Sequence, residues 1–319
     1  MNRRILPGFP PMLLAALLLM LAVSCSLAEE TRCADVFDVS GDAGKLTIRF
    51  LWLGEQNAKD KPGDCMILTS PEGRVMVLDA GHPNATGYIV DALDAMGVTR
   101  IDCLVASHPH IDHVGGFPTL IERYEIGALY TSALTYESSS YYNAYLASAK
   151  ASGLRHIVLG EGDTLPFGDE VQIEVLNPPH EIVYPDGFPA NSTQFVNNQS
   201  LALKITYGAS TILLSGDLYA GGEKELVARY GEALDCDVMK ANHHGANTSS
   251  SSKWRSAVSP MITMITSDTI EDLSTARKFT RDGQKMYHTL LDGCIRLQTP
   301  GDGTYDVLTE KERVTTLFD

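Results

Sequence analysis

Residues 101–106 form a short, largely apolar strand that ends by delivering Ser107 and then His108-Pro109-His110-Ile111-Asp112-His113. Four potential metal ligands in six residues, directly after a buried strand, require a fold in which strand ends converge on one polar rim. Neutral imidazole and carboxylate are the donors that a zinc-class cation takes. In extended backbone His108 and His110 project from the same side, so they suit one ion as a pair. Asp112 and His113 lie beyond the turn, which Gly115-Gly116 lets the backbone make tightly, and face a second ion. An isolated histidine usually serves structure or surface, and that is the reading for His82, His156, His180 and His288. Three histidines and an aspartate at this spacing reverse it.

Other apolar runs end in the same residue types. Ile212-Leu213-Leu214-Ser215-Gly216-Asp217 closes on a carboxylate, and Met239-Lys240-Ala241-Asn242-His243-His244-Gly245 on paired histidines. Asp217 can bridge two ions, while one of His243 and His244 completes the second ion and the other touches substrate. Alternation along a strand does not choose between these two histidines, because the sequence alone leaves the inward face open. Leu78-Asp79-Ala80-Gly81 is a fourth strand end, where Asp79 suits the orienting of a ligand.

Around these ends the chain alternates strand and helix signals. Leu46, Ile48, Phe50 and Trp52 share one side of a strand, residues 54–63 form a polar loop, and residues 65–68 and 75–78 are strands joined through Ser70-Pro71-Glu72-Gly73. Residues 88–96, 119–124 and 141–152 are spaced as helices, with Gly97 and Gly153 as stops. The second half repeats this order, with strands at 156–159, 171–176, 200–207, 211–215, 238–241 and 261–267 and a helix over 223–230. Two such halves without a linker predict one domain over 34–319, built as two sheets face to face with helices outside.

The composition, 44% hydrophobic and 20% charged over 319 residues, is that of a globular protein. Residues 1–28 stand apart: Arg3 and Arg4, an apolar stretch at 12–23 and Ser26-Leu27-Ala28 read as a secretory signal peptide. That stretch is shorter than the roughly 20 residues of a membrane span. Leu21-Ala22-Val23-Ser24-Cys25 offers an alternative, a lipoprotein-type box that makes Cys25 a lipid anchor. Loss of Arg3 and Arg4 with no acid moves the net charge from −15 by two, to −17. This acidity opposes an extended phosphate-binding surface, unless a basic patch forms near Lys240, Lys253 and Arg255. The remaining cysteines, Cys33, Cys65, Cys103, Cys236 and Cys294, are widely spaced and read as buried thiols or at most one long-range disulfide.

Taken in order, Leu78–Gly81, His108–His113, Ser215–Asp217 and His243–Gly245 resemble the metallo-β-lactamase superfamily. Within it, Pro62-Gly63-Asp64-Cys65-Met66-Ile67-Leu68, Asn197-Asn198-Gln199-Ser200-Leu201 and residues 240–252 resemble the hydrolase domain of ComEC-type competence proteins. The resemblance implies an αββα sandwich of two mixed β-sheets with helices on the outer faces and a site at one sheet edge. It also implies one or two divalent ions, Zn2+ or alternatively Mn2+, held by His108, His110, Asp112, His113, Asp217 and His244. Asp112 and His243 take the catalytic roles, and a metal-activated water attacks the substrate. The expected function is an exported metal-dependent hydrolase of a phosphodiester, nuclease-like or head-group-esterase-like. The alternatives are a β-lactam or lactone hydrolase, and a non-catalytic surface binding protein with a degraded site. Two departures bear on this. Many superfamily members supply a third histidine to the first ion, where this chain has Asn197-Asn198-Gln199-Ser200 and only His180 as a substitute. The late Gly-His-Pro segment of the competence type is also missing, for residues 267–278 contain no histidine.

Overall fold

The structure, a computed structural model, describes residues 34–55, 61–184, 191–271 and 273–313. The signal-peptide and lipid-anchor expectations for residues 1–28 lie outside them. Side-chain alternation sets the architecture. Met76 and Leu78 of β3 (Val75–Leu78) turn into a core between two sheets, while Val77 turns outward to helices. Ile212 and Leu214 of β9 (Ser210–Leu214) face the same central core from the other side, with Leu213 turned outward. A strand buried on both faces is apolar at every position, as both of these are at their ligand-bearing ends.

The first sheet has eight strands. Its order runs from β14 (Asp306–Thr309) and β13 (Ile295–Thr299) through β1 (Leu46–Phe50), β2 (Met66–Thr69), β3, β4 (Arg100–Val105) and β5 (Glu125–Ser132) to β6 (His156–Leu159). The second has six, in the order β12 (Lys285–His288), β11 (Ile262–Ile265), β10 (Val238–Lys240), β9, β8 (Ala202–Tyr207) and β7 (Val171–Asn177). Both are mixed. Strands β3 to β6 run parallel, as do β9 to β12, whereas β13–β1–β2–β3 and β7–β8–β9 are antiparallel. The parallel strands β4, β9 and β10 end at the residues read from the sequence as ligands, and β3 ends at Asp79, read as orienting one. Loops at the carboxyl ends of parallel strands are where open α/β sheets gather their polar groups.

Helices cover both outer faces, giving the αββα sandwich. Ile89 and Leu93 of α1 (Thr86–Ala95) and Val114 of α2 (Ile111–Val114) pack on the first sheet. Phe117 and Leu120 of α3 (Phe117–Arg123) and Tyr145 of α4 (Ser140–Ala151) extend the same layer. Beyond α5 (Thr193–Asn198), α6 (Ala220–Tyr230) and α7 (Ser252–Val258) bury Leu226, Trp254 and Val258 against the second sheet.

Several elements were not marked in the sequence. β5 follows α3 with only Tyr124 between them, and no glycine separates the helical signal from the strand. β13 leaves the second half of the chain to pair with β1 in the first sheet, Phe50 lying opposite Ile295. No local pattern announces such a long-range pairing. The isolated histidines take structural hydrogen bonds. His82 Nδ1 and His288 Nδ1 accept from the amides of Asn84 and Leu290, and His156 Nε2 bonds Thr131 Oγ1 at 2.8 Å.

Ile205 is fully buried between the sheets, whereas Val158 on β6 is exposed. Ile205→Ala is expected to destabilise the fold by about 2–5 kcal/mol through the cavity it opens. Val158→Ala is expected to change it by no more than about 0.5 kcal/mol. Midpoints of urea unfolding measure both.

Candidate metal centre

Strand ends from both sheets meet at one edge. From the first come Asp64 before β2, Asp79 after β3, and Ser107 to His113 after β4; from the second come Asp217 after β9, His244 after β10 and Thr266 after β11. Close backbone approach makes the convergence possible. A Cβ on Gly63, at φ +78°, would sit 1.6 Å from the Asp112 carbonyl oxygen, so only glycine lets the segment carrying Asp64 pass under α2. Asp64 N then donates to that same carbonyl at 3.1 Å. Asp79, His243 and His244 hold positive φ angles of 61°, 49° and 56°, a conformation costly for residues with a Cβ and concentrated at functional sites.

Hydrogen bonds aim the ligands inward. Ser107 donates its amide to Asp79 Oδ1 at 2.7 Å and its hydroxyl to Asp79 Oδ2 at 2.6 Å. Asp79 Oδ2 lies 2.8 Å from His113 Nδ1, so it takes that proton and leaves His113 Nε2 directed at Asp217 Oδ2, 3.2 Å away. His244 is set the same way: Nδ1 lies 3.0 Å from Asp64 Oδ1 and 3.1 Å from the Thr266 carbonyl. Its Nε2 then faces Asp217 Oδ2 at 3.3 Å and Asp112 Oδ2 at 3.6 Å. His108 Nδ1 is held by Ser107 Oγ at 3.1 Å, and its Nε2 meets His110 Nδ1 at 2.9 Å. Two imidazole nitrogens bound to one tetrahedral ion at about 2.0–2.1 Å stand ~3.3 Å apart, close to this separation.

The charges fit a cation. Burial opposes ionisation of Asp64, Asp112 and Asp217, but neighbouring cationic groups outweigh it and keep all three well below the usual carboxylate range. For Asp64 the first of these groups is Lys240; for Asp112 it is His113, and for Asp217 it is His244. Burial also opposes charge on His113 and His244, yet Asp217, reinforced by Asp79 and Asp112 at His113 and by Asp64 at His244, raises both well above the imidazole range. Protons on these two rings stand where a metal ion would supply the same compensation. Burial, with His113 and His110 adding to it, keeps His108 neutral, and burial lowers His110 as well. Asp217 Oδ1 and His244 Nε2 are buried without a hydrogen-bond partner, although such atoms are normally satisfied. The donor set and its unspent atoms therefore fit divalent ions.

Each residue singled out in the sequence can now be placed. His108, His113 and Asp217 share one group of converging donor atoms, Asp112, His113 and His244 a second, with His110 against His108. His244 enters the cluster, whereas His243 stands at its rim, bonded to Thr248 Oγ1 at 2.6 Å and tilted against the Tyr219 ring. Burial lowers His243 to about 4, so it is neutral. His180 does not join the cluster: its side chain is exposed and lies 3.3 Å from Asp163. Lys240 corrects the basic-patch expectation, for it is 1% exposed with Nζ 2.6 Å from Asp64 Oδ2. Asp64 and Lys240 are thus part of the site, although neither was read as such; a lysine at the end of an otherwise apolar strand was the available signal. Glu223 is another buried support. It accepts from Asn242 Nδ2 at 2.8 Å and Ser251 N at 2.8 Å, tying the loop that carries His244 to α6.

Comparison with known proteins agrees with this geometry. The chain is 32% identical over 196 residues to competence protein ComA of Neisseria gonorrhoeae, covering 61% of this chain and 24% of that protein. It is 26% identical over 260 residues to ComE operon protein 3 of Bacillus subtilis strain 168, covering 76% of this chain and 31% of that one. It therefore spans less than a third of either relative. Among solved structures, MEM-A1, a subclass B3 metallo-β-lactamase from a soil metagenome library, aligns at a TM-score of 0.40 and 13% identity, covering 62% of this chain and 88% of that one. Residues 58–265, which carry every donor from Asp64 to His244, match the model of the metallo-β-lactamase superfamily, and the chain belongs to that superfamily.

Proposed function

We propose that this chain is an exported, metal-dependent hydrolase that cleaves a phosphodiester. The observation that carries the hydrolase reading is the convergence of three histidines and four aspartates on one volume, with Asp217 Oδ1 and His244 Nε2 left unspent. His108 and His110 would hold one ion, and Asp112, His113 and His244 the other. Asp217, whose Oδ2 lies 3.2 Å from His113 Nε2, 3.3 Å from His244 Nε2 and 4.0 Å from His108 Nε2, would serve both. Bound ions supply the positive charge that acidifies water and stabilises the charge developing on the substrate.

The protein's own groups do the positioning. Asp79 and Asp64 fix the tautomers of His113 and His244, so that each presents Nε2 to the site. Asp112 is the most open to solvent of the four carboxylates, with its side chain 19% exposed. Ionised, it would orient the attacking water and take its proton. His243, neutral at the rim beside Tyr219, is placed to contact substrate.

Similarity to competence protein ComA, alongside ComE operon protein 3, supports the phosphodiester as substrate. The pattern of residues 1–28 supports export. Among the described residues no helix is long and apolar enough to cross a membrane.

Purified protein is expected to hydrolyse bis-(p-nitrophenyl) phosphate, to lose that activity on chelation and to recover it with Zn2+ or Mn2+. Asp112→Ala is expected to lower turnover by about 10²-fold or more, the scale of general-base catalysis. Metal-loaded protein without turnover on any phosphodiester, but active on nitrocefin or an acyl lactone, would overturn the substrate assignment. Asp79→Asn, which removes only the partner of a ligand, is expected to weaken metal affinity by about 10–100-fold, read by competition with a chromophoric chelator.

A further inference from the structure

The two halves of the cluster are unequal. Asp112, His113 and His244 surround one position, while His108 and His110 are a pair without a third histidine. With Asp217 shared between the two positions, this pair stands where many superfamily members hold the first ion with three histidines. The segment opposite this pair is the end of α5, where adjacent asparagines differ in what they do.

Asn198 is structural: its Oδ1 accepts from the amides of Tyr219 and Gly222, each at 3.2 Å, and fixes the start of α6. Asn197 is 1% exposed, and its amide lies against His110 and Tyr219 without a hydrogen bond of ordinary length and angle at either Oδ1 or Nδ2. A buried amide with neither end well bonded is rare in a folded protein.

The backbone around Asn197 leaves it no route outward. Ser200 Oγ accepts from Asp217 N at 3.1 Å, and Leu201 N donates to the Ser107 carbonyl at 2.8 Å. Asn177 Nδ2 donates to the carbonyls of Asn198 and Ser200 at 3.0 and 2.8 Å. The α5 turn is thus clamped to the two strand ends that carry His108 and Asp217, with the Asn197 amide held next to His110.

We infer that Asn197 Oδ1 is a protein donor of the first metal position, in the place of the missing histidine and beside His108, His110 and the shared Asp217, and that this oxygen biases the position toward Mn2+ over Zn2+. Imidazole suits zinc, whereas a neutral carbonyl oxygen suits harder cations such as Mn2+ and contributes no charge. The second position, richer in carboxylate and imidazole, binds first and more tightly. This inference rests on the metallohydrolase reading above and adds the identity of a ligand and a preference between ions.

The test is titration of the metal-free full chain with Mn2+ and, separately, Zn2+, with ions counted by mass spectrometry and affinities measured by calorimetry. Low-temperature electron paramagnetic resonance distinguishes a coupled Mn2+ pair from an isolated ion. The wild-type chain is expected to bind two Mn2+ as a coupled pair. Asn197→Ala is expected to weaken one ion by about tenfold or more and to leave an uncoupled signal. Asn197→His is expected to bind the weaker Zn2+ about tenfold tighter. Should Asn197→Ala fail to fold, Asn197→Asp keeps the shape and is expected to retain both ions with the first held more tightly. Two ions bound to Asn197→Ala at wild-type affinity, while His110→Ala loses one, overturn this inference alone. A wild-type chain that binds no ion overturns it together with the metallohydrolase reading.

Discussion

Four carboxylates, Asp64, Asp79, Asp112 and Asp217, converge at one edge of a sandwich whose two sheets pack across an apolar core. That much negative charge out of water cannot stand uncompensated, and the organisation of the edge follows from the need to neutralise it. The protein's own answer is partial. Lys240 compensates Asp64, and protons on His113 and His244 compensate Asp79, Asp112 and Asp217. A divalent ion does what those protons do without occupying the ligand nitrogens, so the electrostatics that would destabilise an empty edge also make it a metal centre.

The same constraint explains why the site needs both sheets. Asp64 belongs to the first sheet, whereas Lys240, His244 and Thr266, its three side-chain or loop neighbours, belong to the second. Removal of one partner of a buried ion pair leaves the other uncompensated, a loss of about 3–5 kcal/mol. Asp64 and Lys240 therefore couple the alignment of the two sheets to the orientation of His244. A disturbance of the sandwich core reaches the site through this contact.

The sequence showed the part of the centre that lies in single strand ends. His108 to His113, Asp217 and the pair at 243 and 244 follow apolar runs, and this local pattern survives without knowledge of the fold. The choice between His243 and His244 was not legible, because both take left-handed backbone angles in a tight turn and strand alternation stops at Lys240. Lys240 read as a surface cation, since nothing near it in sequence names Asp64 as its partner. The return of β13 and β14 to the first sheet was hidden for the same reason: pairing between distant segments leaves no local trace.

Asn197 joins these two kinds of legibility. In sequence, Asn197-Asn198-Gln199-Ser200 marks a departure where many superfamily members place a histidine, and a missing ligand is the direct reading. In three dimensions one asparagine anchors α6 and its neighbour stays buried and clamped against His110, without a hydrogen bond of ordinary geometry. A degraded site would have little reason to hold that amide in place, because a buried polar group without a partner destabilises the fold that contains it. An exchanged ligand has one. Asn197 Oδ1, like Asp217 Oδ1 and His244 Nε2, gains a partner when a cation takes its lone pair, so the three atoms share a single physical explanation.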